Sequence, residues 1–161
     1  MSIENRSSHI LLLGVGNEFR GDDAAGILIA RALLKSVSER ITVREIQYEA
    51  STLVELLKGW HAVIVVDAAQ SGGRPGTIRH FDVSRQPLPA MFLHASTHAI
   101  GPAEAIELSR ALGHLPRIVH IIAIEGKNFE MGSPMSVEVQ RALPELEQAV
   151  NSVIESLRTV Q

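Results

Sequence analysis

The chain has 161 residues, 45% of them apolar and 20% charged, with a formal net charge of -3 and no cysteine. That balance describes one globular domain over residues 1–161 and excludes a disulfide framework, a thiol nucleophile and any thiolate metal site supplied by this chain. Without a cationic surface, the attraction that carries nucleic-acid and anionic-membrane binding is missing, so neither partner is expected.

Met1 to Ser8 lacks the apolar core of a secretory signal, and no apolar stretch approaches the roughly 20 residues that cross a bilayer, so a cytoplasmic protein is expected. Ile10 to Leu13 is an apolar run meeting the turn Gly14-Val15-Gly16-Asn17, the pattern of a buried strand. Asp22 and Asp23 open the segment Ala24 to Lys35, a helix by composition, with acid at its entry where an N-cap and the helix dipole both favour it. Ile41 to Ile46 alternates and suits a strand towards the sheet edge. Thr52 and Glu55 have capping-box spacing for a short helix closed by Gly59.

Val63-Ile64-Val65-Val66 is β-branched throughout, which predicts a central strand covered on both faces and ending at Asp67. A glycine-containing loop from Gln70 to Gly76 leads into Thr77 to Phe81, a hairpin return or an edge strand. Pro102 to Leu112 predicts a helix stopped by Gly113, Ile118 to Ile124 a further apolar strand, and Gly126 to Ser136 a mobile loop. Leu146, Ala149, Val150, Val153, Ile154 and Leu157 share one helical face, so the last element is an amphipathic helix with Pro144 near its first turn. The order β-α-β-α-β-β-α-β-α predicts an α/β fold, a three-layer α/β/α sandwich around a mostly parallel twisted sheet of about five strands. Helices over both sheet faces suit a monomer.

In open α/β sheets, ligands sit outside the carboxyl ends of the strands. The pair Asp22-Asp23 follows the first strand, Asp67 ends the third, and His98 lies ahead of the Pro102 helix. Two carboxylates and an imidazole on one rim suit Ni²⁺, Zn²⁺, Mn²⁺ or Fe²⁺. Adjacent helical residues diverge by roughly 100°, so one of Asp22 and Asp23 caps the helix while the other faces the crevice. Asp22 reads as the cap and Asp23, taken alone, as a complement to the helix dipole.

Asp67 is harder to assign a passive role, because an acid ending an apolar strand carries a desolvation cost unless it works. His98 alone would be a hydrogen-bonded loop histidine, and His94 four residues earlier would make a ligand pair with it only on a helix. The familiar zinc, serine and cysteine hydrolase motifs are absent. A dinucleotide fingerprint fails as well: its third glycine would fall at Phe19, and Asp22 and Asp23 would repel a pyrophosphate.

The stretch from Gly14 to Gly26, GVGNEFRGDDAAG, resembles the N-terminal signature of hydrogenase maturation proteases. Val65-Val66-Asp67-Ala68 looks like that family's second acidic site, Ser96-Thr97-His98 its histidine segment, and Ile124-Glu125-Gly126 and the Ser136 stretch are similar too. The resemblance implies an endopeptidase that removes a C-terminal extension from a nickel-loaded [NiFe]-hydrogenase large-subunit precursor. It also implies that Asp23, Asp67 and His98 bind nickel and carry catalysis, with the nickel supplied by the substrate's own cysteines.

On that basis the shared metal would position the scissile peptide and polarise its carbonyl or activate water, a carboxylate taking the proton. Asn17, with Gly14 and Gly16, either hydrogen-bonds the bound peptide or its oxyanion, or only holds the turn. The loops from Gln70 to Gly76 and from Gly126 to Ser136 are candidates for gripping the precursor. A reading of another class is a nickel-binding assembly chaperone that holds a hydrogenase subunit without cutting it.

Overall fold

The structure, a computed structural model, describes residues 9–36, 38–47, 50–92 and 101–159. Five strands form one sheet: β1 (Ile10–Val15), β2 (Ile41–Ile46), β3 (Ala62–Ala69), β4 (Ile78–Asp82) and β5 (Ile118–Glu125), in the order β2-β1-β3-β5-β4. Every neighbouring pair is parallel except the edge pair β4 and β5.

Sequence decides position in the sheet. Strands β1 and β3 are apolar almost throughout and buried at every residue, whereas the edge strands β2 and β4 leave Arg44, Glu45, Arg79 and His80 exposed. Parallel strands need both faces covered. On one face Leu11, Leu13, Val63 and Val65 pack with Leu53 and Leu57 of α2 (Ala50–Leu57) and Ile106 of α3 (Pro102–Ala111). On the other, Leu12, Ile64 and Ile122 pack with Ile29 and Leu33 of α1 (Ala25–Leu34) and with Leu146, Val150 and Ile154 of α4 (Val137–Thr159).

The expected α/β/α sandwich is therefore present, with three corrections to its parts and one open choice decided. β3 runs two residues past Asp67, to Ala69, because its ladder with β5 continues to the pair Ala69 and Glu125. Of the two alternatives for Thr77 to Phe81, the edge strand is present: β4 lies at the margin of the sheet, antiparallel to β5. α2 begins at Ala50, so Thr52 is inside it rather than capping it. α4 begins at Val137 and holds Pro144 within it, because the cap is Ser136: its carbonyl accepts from the Gln140 N–H at 3.0 Å and its Oγ from the Val139 N–H at 3.4 Å. Among the described residues no helix is long and apolar enough to cross a membrane.

The order of the sheet creates the crevice. The chain leaves β1 through α1 towards β2 and returns through α2 to β3, on the other side of β1, so the loops part at the carboxyl ends of β1 and β3. The two central strands come together there with a 3₁₀ turn, Gly21–Ala24.

Candidate active site

Asp23 reaches the crevice because the turn after β1 is unusually tight. A Cβ on Gly14 would lie 2.4 Å from the Gly26 carbonyl, and one on Gly26 only 2.3 Å from that of Val66, so two glycines let α1 begin directly on the sheet. Gly16, at φ 141, would drive a Cβ to 1.8 Å from the carbonyl oxygen of Asp23, so only glycine fits under the turn. Asn17 closes it: its Oδ1 accepts from the Phe19 N–H at 2.9 Å and its carbonyl from the Arg20 N–H at 3.1 Å. The turn-holding role of Asn17 is thus visible directly, and Gly14 and Gly16 act through packing.

The Asp23 side chain is 1% exposed. Burial pushes its carboxyl up to about 6, against the pull of the Arg20 guanidinium, whose Nη1 lies 3.7 Å from Oδ2, and of the Asn17 backbone N–H. Arg20 is itself oriented by donating from Nε to the Phe129 carbonyl at 3.1 Å.

Asp67 points to the α2 and α3 face of the sheet, on the same side as Val63 and Val65. It closes a small pocket of about 30 Å³ whose other walls include Phe81, Leu88, Phe92 and Pro102. Those surroundings explain its state. Burial raises the carboxyl well above the ordinary range, the charge of Asp23 raises it further, the Ala68 N–H donating to Oδ1 at 2.9 Å opposes this, and the charge of Glu104 adds to it. Asp23 and Asp67, 44 positions apart, are thus brought into one electrostatic unit.

Two adjacent buried carboxylates repel, and a divalent cation between them removes both the repulsion and the desolvation cost. Oxygen donors of this kind, completed by an imidazole, suit a borderline cation. His98 and His94 fall outside the described residues, and among the described residues no group of three His, Cys, Asp or Glu side chains is placed to hold a metal. Glu104, which the sequence reading passed over, sits in the first turn of α3 and its Oε2 accepts from the Gly101 N–H at 2.9 Å. Its spacing from Gly101 was the available signal.

Asp22 does not cap a helix. Neither the 3₁₀ turn nor α1 has a side-chain cap, and the fully buried Asp22 carboxylate turns instead to the loop between β5 and α4. Its Oδ2 accepts from the N–H groups of Lys127 and Asn128 at 2.7 and 2.9 Å and from the Ser136 hydroxyl at 2.9 Å, and its Oδ1 from the Ser136 N–H at 2.6 Å. The loop expected to be mobile is bonded at both ends.

Glu125 does the same for the other rim loop. The N–H groups of Ser71, Gly72 and Gly73 converge on its Oε1 at 2.8 to 3.1 Å, while the Ser71 hydroxyl donates to Oε2 at 2.6 Å. Glu125, unlike Asp67, does end its apolar strand, and the desolvation cost of an acid in such a strand is the signal that marks both. Glu125→Gln is expected to lower stability by roughly 1–3 kcal/mol and to speed hydrogen exchange at the amides of residues 71–73, read by NMR; unchanged exchange there would contradict it.

Residues 32–153 match the family described as HycI, hydrogenase maturation protease, a span that begins after the glycine turn and Asp23 but includes Asp67. The hydrogenase expression/formation protein HupD of Rhizobium leguminosarum bv. viciae is 26% identical, over 93% of this chain and 74% of its own length. The hydrogenase 2 maturation protease of Escherichia coli is 28% identical over 91% of this chain and 92% of its own. The solved hydrogenase maturating endopeptidase HybD of E. coli superposes with a TM-score of 0.77 at 25% identity, covering 92% of this chain and 93% of that one. The chain belongs to the hydrogenase maturation protease family, and it is an endopeptidase rather than a non-cleaving assembly module.

Proposed function

We propose that the chain, a hydrogenase maturation endopeptidase that cleaves the C terminus of the large subunit, recognises the nickel already inserted in that subunit, and that Asp23, Asp67 and His98 are its ligands to the metal. The observation that supports this reading is the burial of both Asp23 and Asp67 beyond β1 and along β3, near enough that the charge of Asp23 raises the Asp67 carboxyl. A cell that must finish metal insertion before cutting gains a checkpoint if the peptidase grips only the loaded metal. The cytoplasm, where a precursor would be assembled, is the expected site of action.

Bound there, a divalent cation supplies Lewis-acid polarisation of a carbonyl or a water made more acidic. The protein's own residues do the rest. Arg20 and the Asn17 N–H hold the Asp23 carboxylate in one orientation, and the Ala68 N–H holds that of Asp67, so neither has to reorganise when the precursor arrives. One of the two carboxylates accepts the proton from the attacking water as its oxygen bonds to the scissile carbonyl carbon, and the same carboxyl returns that proton to the departing amine as the C–N bond breaks. The apolar walls beside Asp67 keep bulk water from that carboxylate.

Recognition of the polypeptide falls to the two pinned loops and to the turn at Gly14, Gly16 and Asn17. Phe19 and Met131 lie exposed on the two sides of this rim, 63% and 68% accessible, and the Gly132 N–H donates to the Phe19 carbonyl at 2.7 Å. Phe19→Ser is expected to raise KM for the precursor about tenfold while leaving kcat within about twofold, measured by steady-state cleavage. Equal losses in kcat and in kcat/KM would place Phe19 in the chemistry instead.

The decisive experiment incubates the protein with nickel-loaded and with metal-free large-subunit precursor and weighs the products by mass spectrometry. Loss of the C-terminal peptide from the loaded precursor alone is expected. Equal cleavage of both would end the nickel reading while leaving the peptidase intact.

A further inference from the structure

We infer that His80 and His120 form a second metal site, a two-imidazole chelate for a borderline divalent cation such as Zn²⁺, Ni²⁺ or Cu²⁺, on the edge of the sheet away from the crevice. In the antiparallel pair of β4 and β5, Asp82 stands opposite His120, and His80 lies two residues before Asp82, which puts all three side chains on one face. His80 Nε2 and His120 Nδ1 approach to 3.0 Å, with the rings tilted at 48° and their centroids 5.0 Å apart.

Two imidazole nitrogens bound to one cation at about 2.0–2.1 Å, at an angle between square and tetrahedral, lie roughly 2.8–3.4 Å apart. The observed separation already falls in that interval. A cation would take the place of the shared hydrogen bond, with both rings turning until their lone pairs converge on it, the exposed His80 ring having the greater freedom to do so.

The surroundings suit a ligand pair rather than a charged one. His120 is half-buried, and that burial lowers its pKa; Asp82 opposes the shift, and the charge of His80 reinforces it. A neutral ring keeps its lone pair available at neutral pH. The charge of Asp82, whose Oδ1 accepts from the Ser84 N–H at 3.0 Å, acts on His120 across the strand pair and favours a cation beside it. Since no third ligating side chain is placed with them among the described residues, water completes the shell and the bound ion exchanges readily.

The site is independent of Asp23 and Asp67. His120 precedes Ala123, the β5 partner of Asp67, by three residues, about 10 Å along the strand. It also faces the opposite side of the sheet: Ile118, Ile122 and Ile124, its alternates on β5, belong to the core under α1 and α4, whereas Val63 and Val65, the alternates of Asp67, belong to the core under α2 and α3. A cation there would fasten the edge strand β4 to β5.

The test uses the full chain, stripped of metal, carrying Asp67→Asn to weaken the crevice site, and titrated with Zn²⁺ by calorimetry and with Cu²⁺ by electron paramagnetic resonance. One Zn²⁺ is expected, bound roughly tenfold or more weakly after either His80→Asn or His120→Asn. The Cu²⁺ spectrum should show coupling to two nitrogens in the parent and one in each variant. Zn²⁺ isotherms unchanged in the His80→Asn protein, or no Zn²⁺ bound by the parent, overturn the proposal. Should His120→Asn disturb folding, the exposed His80 variant, checked by an unchanged circular dichroism spectrum, carries the test alone.

Discussion

Asp22→Ala is expected to lower folding stability by roughly 3–5 kcal/mol, a large part of the roughly 5–15 kcal/mol available to a domain of this size. The substitution removes one carboxylate but orphans three backbone N–H groups and a hydroxyl, those of Lys127, Asn128 and Ser136, all drawn to Asp22 within 2.9 Å. Ser136 also caps α4, so the loss spreads from the loop into the first turn of the last helix. Asp22→Asn should recover little, because it turns an amide donor towards groups that are themselves donors. Chemical denaturation with hydrogen exchange at residues 127, 128 and 136 measures both parts. A loss below about 1 kcal/mol with those amides still protected would show that the loop is held by something else.

Asp67→Asn is expected to act in opposite directions on activity and stability. Cleavage of the nickel-loaded precursor should fall by roughly 10²- to 10⁴-fold, as for loss of a group that handles a proton or holds the metal that does. The metal-free protein should melt at a higher temperature than wild type at pH 8, because a neutral amide replaces a carboxyl whose ionised form is opposed by burial and by the charge of Asp23. A variant that cuts at the normal rate, or that melts earlier, would contradict the assignment of this residue.

The same pair sets the pH dependence of the metal-free protein. Asp23 titrates near 6 in the fold and near 3.8 outside it, and Asp67 is displaced in the same direction, so in the folded state both carboxyls keep protons that the unfolded chain has released. The contribution of Asp23 to stability is therefore complete below about pH 4 and is withdrawn as pH rises through about 6, and that of Asp67 changes with pH in the same direction. For Asp23 it amounts to on the order of 2–3 kcal/mol. Melting temperatures of chelator-treated protein, followed from about pH 5 to pH 8, should fall on this account. Adding Zn²⁺ or Ni²⁺ should flatten or reverse the trend, since a bound cation stabilises the ionised forms. An identical pH profile in Asp23→Asn would remove Asp23 as the cause.

Much of this was legible in the chain itself. The unbroken β-branched run at 63–66 announced a strand covered on both faces, the glycines at 14 and 16 announced a turn, and the helical spacing of Leu146, Val150, Ile154 and Leu157 announced the face that α4 buries. These are short-range signals: hydrophobic periodicity and backbone freedom depend on a few neighbours, so they survive without knowledge of the fold. The acid near the end of β3 could also be flagged, because an isolated carboxylate among apolar residues carries its cost wherever the strand lies.

What the tertiary structure decided was which carboxylate does what. Asp22 and Asp23 are adjacent and chemically identical. Their roles separate only because the loop after β5, more than 100 residues later, offers its N–H groups to Asp22, while the side of the turn bearing Asp23 faces Asp67 on β3. Glu125 anchors the loop at 71–73 for the same kind of reason, and Pro144 sits inside α4 because the cap at Ser136, tied to Asp22, begins the helix two turns earlier. The chain alone thus determined the elements and the residues able to bear charge chemistry. Which of those carboxylates hold the fold and which face the crevice depends on hydrogen-bond partners and neighbouring charges that come together only when distant segments pack.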